Sequence, residues 1–172
     1  QWAKDRMKKE NDEVVGGKFA FTARTSCQPG GVPGFDVLVS GALFILQSPS
    51  EVAMIFDGNA ETRHIRLNAP HVVNPKPSWY GDSVGHYEGD TLVVDTIGLN
   101  DKTYIDNWRT PHTEALHVTE RWRLIEGGRK LEVLIGIEDP DTFNAPFKML
   151  RQYSRVNRTL VEDRSEEHTS EL

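Results

Sequence analysis

A carboxylate and a guanidinium occupy positions in two predicted strands where the alternation otherwise places apolar side chains. Glu120 shares a face with the apolar residues of segment 115–125, and Arg63 does so in segment 62–68. Side chains of a strand alternate between its two faces, so both charges are expected inside. A buried charge persists only when it is paired, bound to a ligand or hydrated. We expect a catalytic pair, in which Arg63 holds an anionic or carbonyl oxygen and Glu120 transfers a proton; a structural ion pair is the alternative.

Three further side chains are candidates for the same interior. Segment 91–99 has two competing apolar phases, one of which contains Asp95. Trp122 and Arg151 both lie in the apolar phase of their strands. We expect Asp95 to supply a second catalytic carboxylate, and Trp122 and Arg151 to contact a substrate. A bulge in any of these strands would exchange its two faces.

Histidines form a second set of candidates. His112 and His117 are five positions apart, and His86 lies shortly before a predicted tight turn. Because histidine titrates near neutral pH, we expect His112 and His117 to be catalytic and His86 to contact the substrate. The spacing matches no zinc-binding motif, and Cys27 is the single cysteine, so no metal site is predicted. The alternatives are a metal held by these three histidines, or histidines with a purely structural role.

Five aromatic residues lie in or beside the two longest interruptions between predicted strands, 69–82 and 100–114. They are Trp79, Tyr80, Tyr87, Tyr104 and Trp108. Aromatic side chains at the mouth of a pocket can stack on a ring-bearing ligand. We expect four of them, Trp79, Tyr87, Tyr104 and Trp108, to bind substrate there. The alternative is that they only cap the open end of the fold.

Short apolar stretches separated by turn residues follow position 41, without helical periodicity. The pattern predicts eight strands, at 43–47, 51–57, 62–68, 83–88, 91–99, 115–125, 130–139 and 147–155. Connections such as Glu88-Gly-Asp90 and Gly127-Gly128 are typical of hairpins. Consecutive strands joined mostly by tight turns favour an antiparallel meander.

These elements predict an all-β fold. Closing eight strands into a barrel removes exposed edges and leaves room for side chains or one small ligand. We expect an eight-stranded antiparallel up-and-down barrel, lipocalin-like (calycin-type), over residues 42–160. Residues 1–41, with a short N-terminal helix and a Gly/Pro-rich stretch, are expected to pack on the barrel. A two-sheet sandwich or an incomplete barrel is the alternative.

Composition excludes several classes of protein. The chain has 172 residues, which fits one domain, and its net charge of −6 offers no basic surface for nucleic acid. No apolar run approaches the ~18 residues of a membrane span, so no transmembrane segment is predicted. The sequence leaves the oligomeric state open.

Both ends of the chain carry signs of not being natural. Residues 164–172 read RSEEHTSEL and resemble a translated sequencing-library adapter, so we expect an artefactual, disordered tail. The chain begins at Gln1 rather than Met, so we expect the natural N-terminus to be missing.

The run from Tyr80 to Thr96, YGDSVGHYEGDTLVVDT, resembles the signature G-x-S-x-G-[HR]-[WY]-E-G-D-T-L-V-V-[DE]-T. This signature belongs to a family of uncharacterised, often exported bacterial proteins. The similarity extends from about Cys27 to Tyr153. The chain departs from the pattern at Tyr87, where Trp is more usual, and at 66–70, where a D-G-R turn is common. The resemblance implies a periplasmic or secreted bacterial protein and no particular reaction.

These observations predict a small-molecule enzyme that works without an organic cofactor. Its acid–base chemistry in a barrel pocket would serve hydrolysis, elimination or isomerisation, as a hydrolase, lyase or isomerase. A non-catalytic binder of an apolar or aromatic ligand is the first alternative. A structural domain associated with the cell envelope is the second.

Overall fold

The computed structural model describes residues 1–19, 28–37, 41–57 and 61–157; Cys27 and the tail 164–172 lie outside these ranges. Within them, helix α1 spans Trp2–Val15 and helix α2 spans Gly34–Val37. The strands are β1 Leu43–Gln47, β2 Glu51–Phe56, β3 Glu61–Leu67, β4 Asp82–Glu88, β5 Thr91–Ile97, β6 His117–Ile125, β7 Lys130–Glu138 and β8 Phe147–Ser154. The eight predicted strands are confirmed, with their ends shifted by at most two residues.

All eight strands form one sheet in sequence order, which curls into a half-barrel. Neighbouring strands are antiparallel except β3 and β4, which pair in parallel through Arg66 with Val84 and Leu67 with Gly85. The prediction of an antiparallel up-and-down barrel is therefore wrong at this step. The physical reason is the loop 68–81, which is long enough to carry the chain back across the sheet, as a parallel connection requires.

The sheet is also open rather than closed. In the described strands, β1 pairs with β2 alone and β8 with β7 alone. Ile45 shares a face with Met54, yet Ile45 is 41% exposed whereas Met54 is fully buried. The lipocalin-like closed barrel is thus wrong, and the incomplete barrel describes the fold. Its opening leaves inward-facing apolar side chains in contact with solvent.

The core lies on the inner face of the sheet and against α2. Strict alternation buries every second residue of β2 and β5, as expected for strands with one solvated face. Phe35 of α2 meets Phe56 edge-on, with ring centres 4.8 Å apart. This contact fixes α2 inside the curl of the sheet, next to the inward side chains of β3.

Helix α1 packs against the connections at one end of the sheet. The Trp2 indole N–H donates to the Asp141 carbonyl at 3.0 Å, and the Tyr104 hydroxyl donates to Glu10 at 2.9 Å. The Arg6 guanidinium lies 5.6 Å from the centre of the Tyr104 ring. Neither of the two helices found in the described ranges has the length and apolar character needed to cross a membrane.

Candidate functional site

An ion pair between β3 and β6 lies on the inner face of the sheet. Arg63 Nη1 donates to Glu120 Oε1 at 2.9 Å, and Nη2 donates to Oε2 at 2.5 Å. Both side chains are completely buried. The prediction that these two groups face inward and pair is confirmed. A bidentate contact of this kind is the strongest geometry available to a guanidinium and a carboxylate.

Neighbouring strands supply further hydrogen bonds to this pair. Arg63 Nη2 donates to Ser83 Oγ at 3.2 Å and to Thr96 Oγ1 at 3.0 Å. The Trp122 indole N–H donates to Glu120 Oε1 at 3.3 Å. Trp122 therefore donates a hydrogen bond to the Glu120 carboxylate from within the core. This buried position differs from the one at a substrate that the sequence analysis expected for Trp122.

Asp36 of α2 is a third ionisable residue beside Arg63 and Glu120, and the sequence analysis did not predict it. Its Oδ2 lies 3.5 Å from Arg63 Nη1, and its Oδ1 is buried without a hydrogen-bond partner within the described residues. Burial, and then the charge of Glu120, raise the pKa of Asp36 well above its ordinary value. Burial alone would also raise the pKa of Glu120, but the charge and hydrogen bonds of Arg63 outweigh burial and lower it. Of the two acids, Asp36 is therefore the one that retains its proton more readily.

We call these six residues, Asp36, Arg63, Ser83, Thr96, Glu120 and Trp122, the buried cluster. None of them is more than 4% exposed. A reactant cannot touch Arg63 or Glu120 without displacing the core around them. The geometry is that of the structural ion pair, and a catalytic role for the two residues stays a prediction.

Asp95 faces the opposite side of the sheet, so its expected place in the interior is wrong. Thr96, its neighbour on β5, takes the inner position. Asp95 Oδ2 lies 2.8 Å from His117 Nε2, and Oδ1 lies 2.8 Å from His71 Nε2. The three side chains are between 25% and 39% exposed. Two residues predicted to be catalytic, Asp95 and His117, thus meet on the outer face.

Two more residues extend this outer arrangement. His71 Nδ1 lies 2.9 Å from Asp82 Oδ2, and Asp82 also accepts from Arg66 Nη2 at 2.6 Å and from the Val72 N–H at 2.8 Å. Partial burial would raise the pKa of Asp82, but the hydrogen bonds from Val72, His71 and Arg66 outweigh it and lower the pKa. Each ring nitrogen of His71 thus faces a carboxylate oxygen, so the imidazole bridges Asp82 and Asp95.

We call Arg66, Asp82, His71, Asp95 and His117 the outer network. A pocket of about 140 Å³, the outer pocket, opens beside its last member, His117. Gly136 lies between Thr119 of β6 and Lys148 of β8 in the register of the sheet. A side chain at Gly136 would collide with the Thr119 hydroxyl, so glycine leaves this hollow open. The lining is completed by Ile137, Glu138, Pro146 and Phe147.

His112 belongs to neither arrangement. It is fully buried, with Nε2 at 2.8 Å from Thr103 Oγ1 and Nδ1 at 3.0 Å from the Thr113 carbonyl. Burial lowers the pKa of His112. These contacts tie together the loop between β5 and β6, as a structural histidine does.

The histidines considered as metal ligands lie in three separate surroundings. His86 faces outward with Nε2 at 3.3 Å from Glu88 Oε1, while His112 is buried in its loop and His117 contacts Asp95. Across residues 1–19, 28–37, 41–57 and 61–157, no three or more His, Cys, Asp or Glu side chains are grouped so as to hold a metal ion.

The four loop aromatics are spread over the surface rather than gathered around one opening. Tyr104 is buried beneath α1, and Trp108 is 78% exposed. The Tyr87 hydroxyl donates to a β1 side chain at 2.9 Å. Trp79 is partly buried, and its carbonyl accepts the Val32 N–H. Their role in substrate binding stays a prediction.

Arg151 lies on the inner face, opposite Val133 of β7, as its phase predicts. Because β8 is an edge strand, the side chain is exposed, and its guanidinium lies 5.6 Å from the centre of the Tyr153 ring. Arg151 is therefore placed at the opening of the half-barrel.

Two charged groupings thus lie on opposite faces of the same strands, one sealed and one open to solvent beside a pocket. Comparison of the chain with models of protein families, with curated proteins and with solved structures gives no match in any of the three.

Proposed function

We propose that this protein is a small-molecule enzyme whose acid–base chemistry takes place at the outer pocket, with His117 as the general base. The observation that carries the proposal is the 2.8 Å contact between His117 Nε2 and Asp95 at the edge of that pocket. Within the described residues, His117 Nδ1 has no hydrogen-bond partner, so it is available to a substrate. An imidazole oriented by a carboxylate is a common device for moving protons at neutral pH.

Four neighbouring groups have roles in this proposal. Asp95 orients His117 and stabilises the imidazolium that forms when His117 takes a proton. His71 binds the other Asp95 oxygen and so fixes the carboxylate. Lys148 and Thr119 line the pocket, where an ammonium and a hydroxyl can stabilise a substrate oxygen that becomes negative. Hydrolysis, elimination and isomerisation of a small molecule all fit these groups.

This proposal moves the chemistry away from Arg63 and Glu120. Because that pair has no exposed atoms, we assign it to the stability of the scaffold. The resemblance of residues 80–96 to an exported bacterial family supports a periplasmic or secreted enzyme.

The ring opening of 5-nitrobenzisoxazole tests the proposal, because removal of one proton from carbon opens this ring and releases a coloured phenolate. We expect the protein to open this ring faster than free imidazole does at the same concentration. His117→Gln should lower the rate about 10²-fold or more, and Asp95→Asn should also lower it. Gly136→Ala should slow the reaction by filling the pocket while the His117 side chain is retained.

His64→Gln is the matched control. His64 is an exposed histidine hydrogen-bonded to Glu51 on the outer face, and it does not line the outer pocket. Its substitution should leave the rate unchanged. Equal rates in the unmodified protein and His117→Gln would show that His117 is not the base.

A further inference from the structure

A larger cavity, the edge cleft, lies at the opening between β1 and β8. Its volume is about 1030 Å³, which is at the upper end of the about 300–1,000 Å³ of typical ligand pockets. The first residues of β1 and β7 and the last residues of β8 form its walls. Among the described residues, the edge cleft and the outer pocket share no lining residue, so we treat them as separate sites.

The apolar wall of the edge cleft is a continuation of the core. Leu131 of β7 lies opposite Tyr153 of β8, and both pack against buried core residues, as does Leu43 of β1. Ile45 faces the same side and remains 41% exposed. Apolar surface that a closed barrel would cover is therefore accessible to a ligand, and burying it would be favourable.

The charged residues among the described lining of the edge cleft are cationic. This part of the lining includes Lys130 and Arg155 and no acidic residue, although the chain as a whole carries a net charge of −6. Lys130 Nζ is bound by Glu126 Oε1 at 2.6 Å. The exposed Arg155 guanidinium forms no ion pair in the part of the chain that the structure describes. Guanidinium groups bind carboxylates with two parallel hydrogen bonds.

We propose that the edge cleft binds a free, single-chain anionic amphiphile of the fatty carboxylate class. The hydrocarbon chain contacts Leu43, Ile45, Leu131 and Tyr153, and the carboxylate pairs with Arg155. The apolar wall favours the chain, and the Arg155 guanidinium, which has no ion pair among the described residues, favours the negative head. This binding does not depend on the proposed enzyme activity, because no residue of the outer network takes part in it.

Titration calorimetry with dodecanoate below its micellar concentration tests the proposal, with dodecyltrimethylammonium as the probe of equal chain and opposite charge. Dodecanoate should bind with 1:1 stoichiometry and at least about tenfold more tightly than the cationic probe. Arg155→Gln should weaken dodecanoate binding about tenfold and leave the cationic probe unaffected. Ile45→Ser should weaken both probes about tenfold, because it removes apolar contact with the chain.

Leu46→Ser and Lys76→Gln are the matched controls. Leu46 is 55% exposed on the same strand but faces the other side of the sheet, and Lys76 is an exposed cation outside the edge cleft. Both variants should bind dodecanoate as the unmodified protein does. Absence of saturable dodecanoate binding, or equal affinity for the two probes, would overturn the proposal. It would also be overturned if sedimentation showed a dimer that Ile45→Ser dissociates, since the occupant would then be a second copy of the chain.

Discussion

Asp36 Oδ2 and Glu120 Oε1 lie 3.5 Å and 2.9 Å from the same atom, Arg63 Nη1, so the two acids share one guanidinium. One positive charge balances only one negative charge in a site without solvent, so we expect one acid to keep its proton. Asp36 is the better candidate, because burial and the charge of Glu120 raise the pKa of Asp36. Helix α2 is thus joined to β6 through the Arg63 guanidinium.

Replacing Asp36 by Asn should remove a pH dependence of stability, because the side-chain amide of Asn has nearly the same shape and does not titrate. The folded pKa of Asp36 exceeds its ordinary value of 3.8. The contribution of Asp36 to the free energy of unfolding is therefore complete below about pH 4. This contribution decreases as the pH rises through the folded pKa, by up to about 1.4 kcal/mol per pH unit. Urea unfolding from pH 4 to 9 should show Asp36→Asn gaining stability relative to the unmodified protein. A difference that stays constant with pH would contradict the raised pKa of Asp36.

Removing one member of the Arg63–Glu120 pair should lower the free energy of unfolding more than removing both members does. Arg63→Met leaves the Glu120 carboxylate buried without its cation, at about 3–5 kcal/mol of unfolding free energy. Arg63→Met combined with Glu120→Leu leaves no unpaired charge, because Asp36 remains protonated, and should recover most of that loss. Denaturant unfolding of both single variants and the double variant measures the coupling. Additive losses would show that the pair makes no net interaction.

Asp82 should control the attachment of the loop 68–81 to the sheet. It accepts hydrogen bonds from the Val72 N–H and from His71, both in that loop. Asp82→Ala should therefore speed amide exchange at Val72 about tenfold or more, since hydrogen bonds to a charged group are lost. The lowered pKa of Asp82 implies that this protection is present above about pH 4 and weakens as the pH falls further. Asp90→Ala, an exposed acid in another turn, should leave the exchange of Val72 unchanged.

Asp139 lies in the turn after β7 and should contribute strongly to the stability of the fold. Its side chain is almost fully buried and accepts from the Thr113 N–H at 2.7 Å, the Thr113 hydroxyl at 3.0 Å and the Thr142 hydroxyl at 2.8 Å. Burial would raise the pKa of Asp139, but the hydrogen bonds of Thr113 and Thr142 outweigh it and lower the pKa. Asp139→Ala should cost about 2–3 kcal/mol in urea unfolding at pH 7, and the difference should shrink below about pH 4.

The exposed neighbour Asp141 provides the control for this measurement. Its backbone carbonyl accepts the Trp2 N–H, and a change of side chain retains that carbonyl. Asp141→Ala should therefore change stability by less than about 0.5 kcal/mol. A similar loss of stability in both variants would mean that the hydrogen bonds of Asp139 stabilise the fold no more than an exposed side chain does.

Alternation was sufficient to locate the strands and to predict the pairing of Arg63 with Glu120. Each of these residues lies in a strand with one clearly apolar phase, so its direction follows from the pattern. In β5 both phases are apolar, and the pattern could not decide whether Asp95 faces in. The contacts of Asp95 with His71 and His117 settle this, because they form only on the outer face.

Strand alternation could predict neither the burial of Asp36 nor the parallel pairing of β3 with β4, for two different reasons. Asp36 follows a Gly/Pro-rich stretch that has no strand phase, although an acid inside the apolar run 35–39 is a signal of an unusual surrounding. Alternation reports which face a residue takes, and it contains no information on whether adjacent strands run in the same direction. The length of the loop 68–81 was the remaining clue to the parallel pairing of β3 and β4.

That parallel pairing also determines the directions of the two edge strands. Antiparallel pairing reverses the direction at every step, whereas the step from β3 to β4 preserves it. Counted along the sheet, β1 and β8 consequently run the same way. Joining them would require a second parallel contact, whose slanted hydrogen bonds are slightly less favourable than antiparallel ones. One crossover early in the chain therefore makes closure of the sheet slightly less favourable.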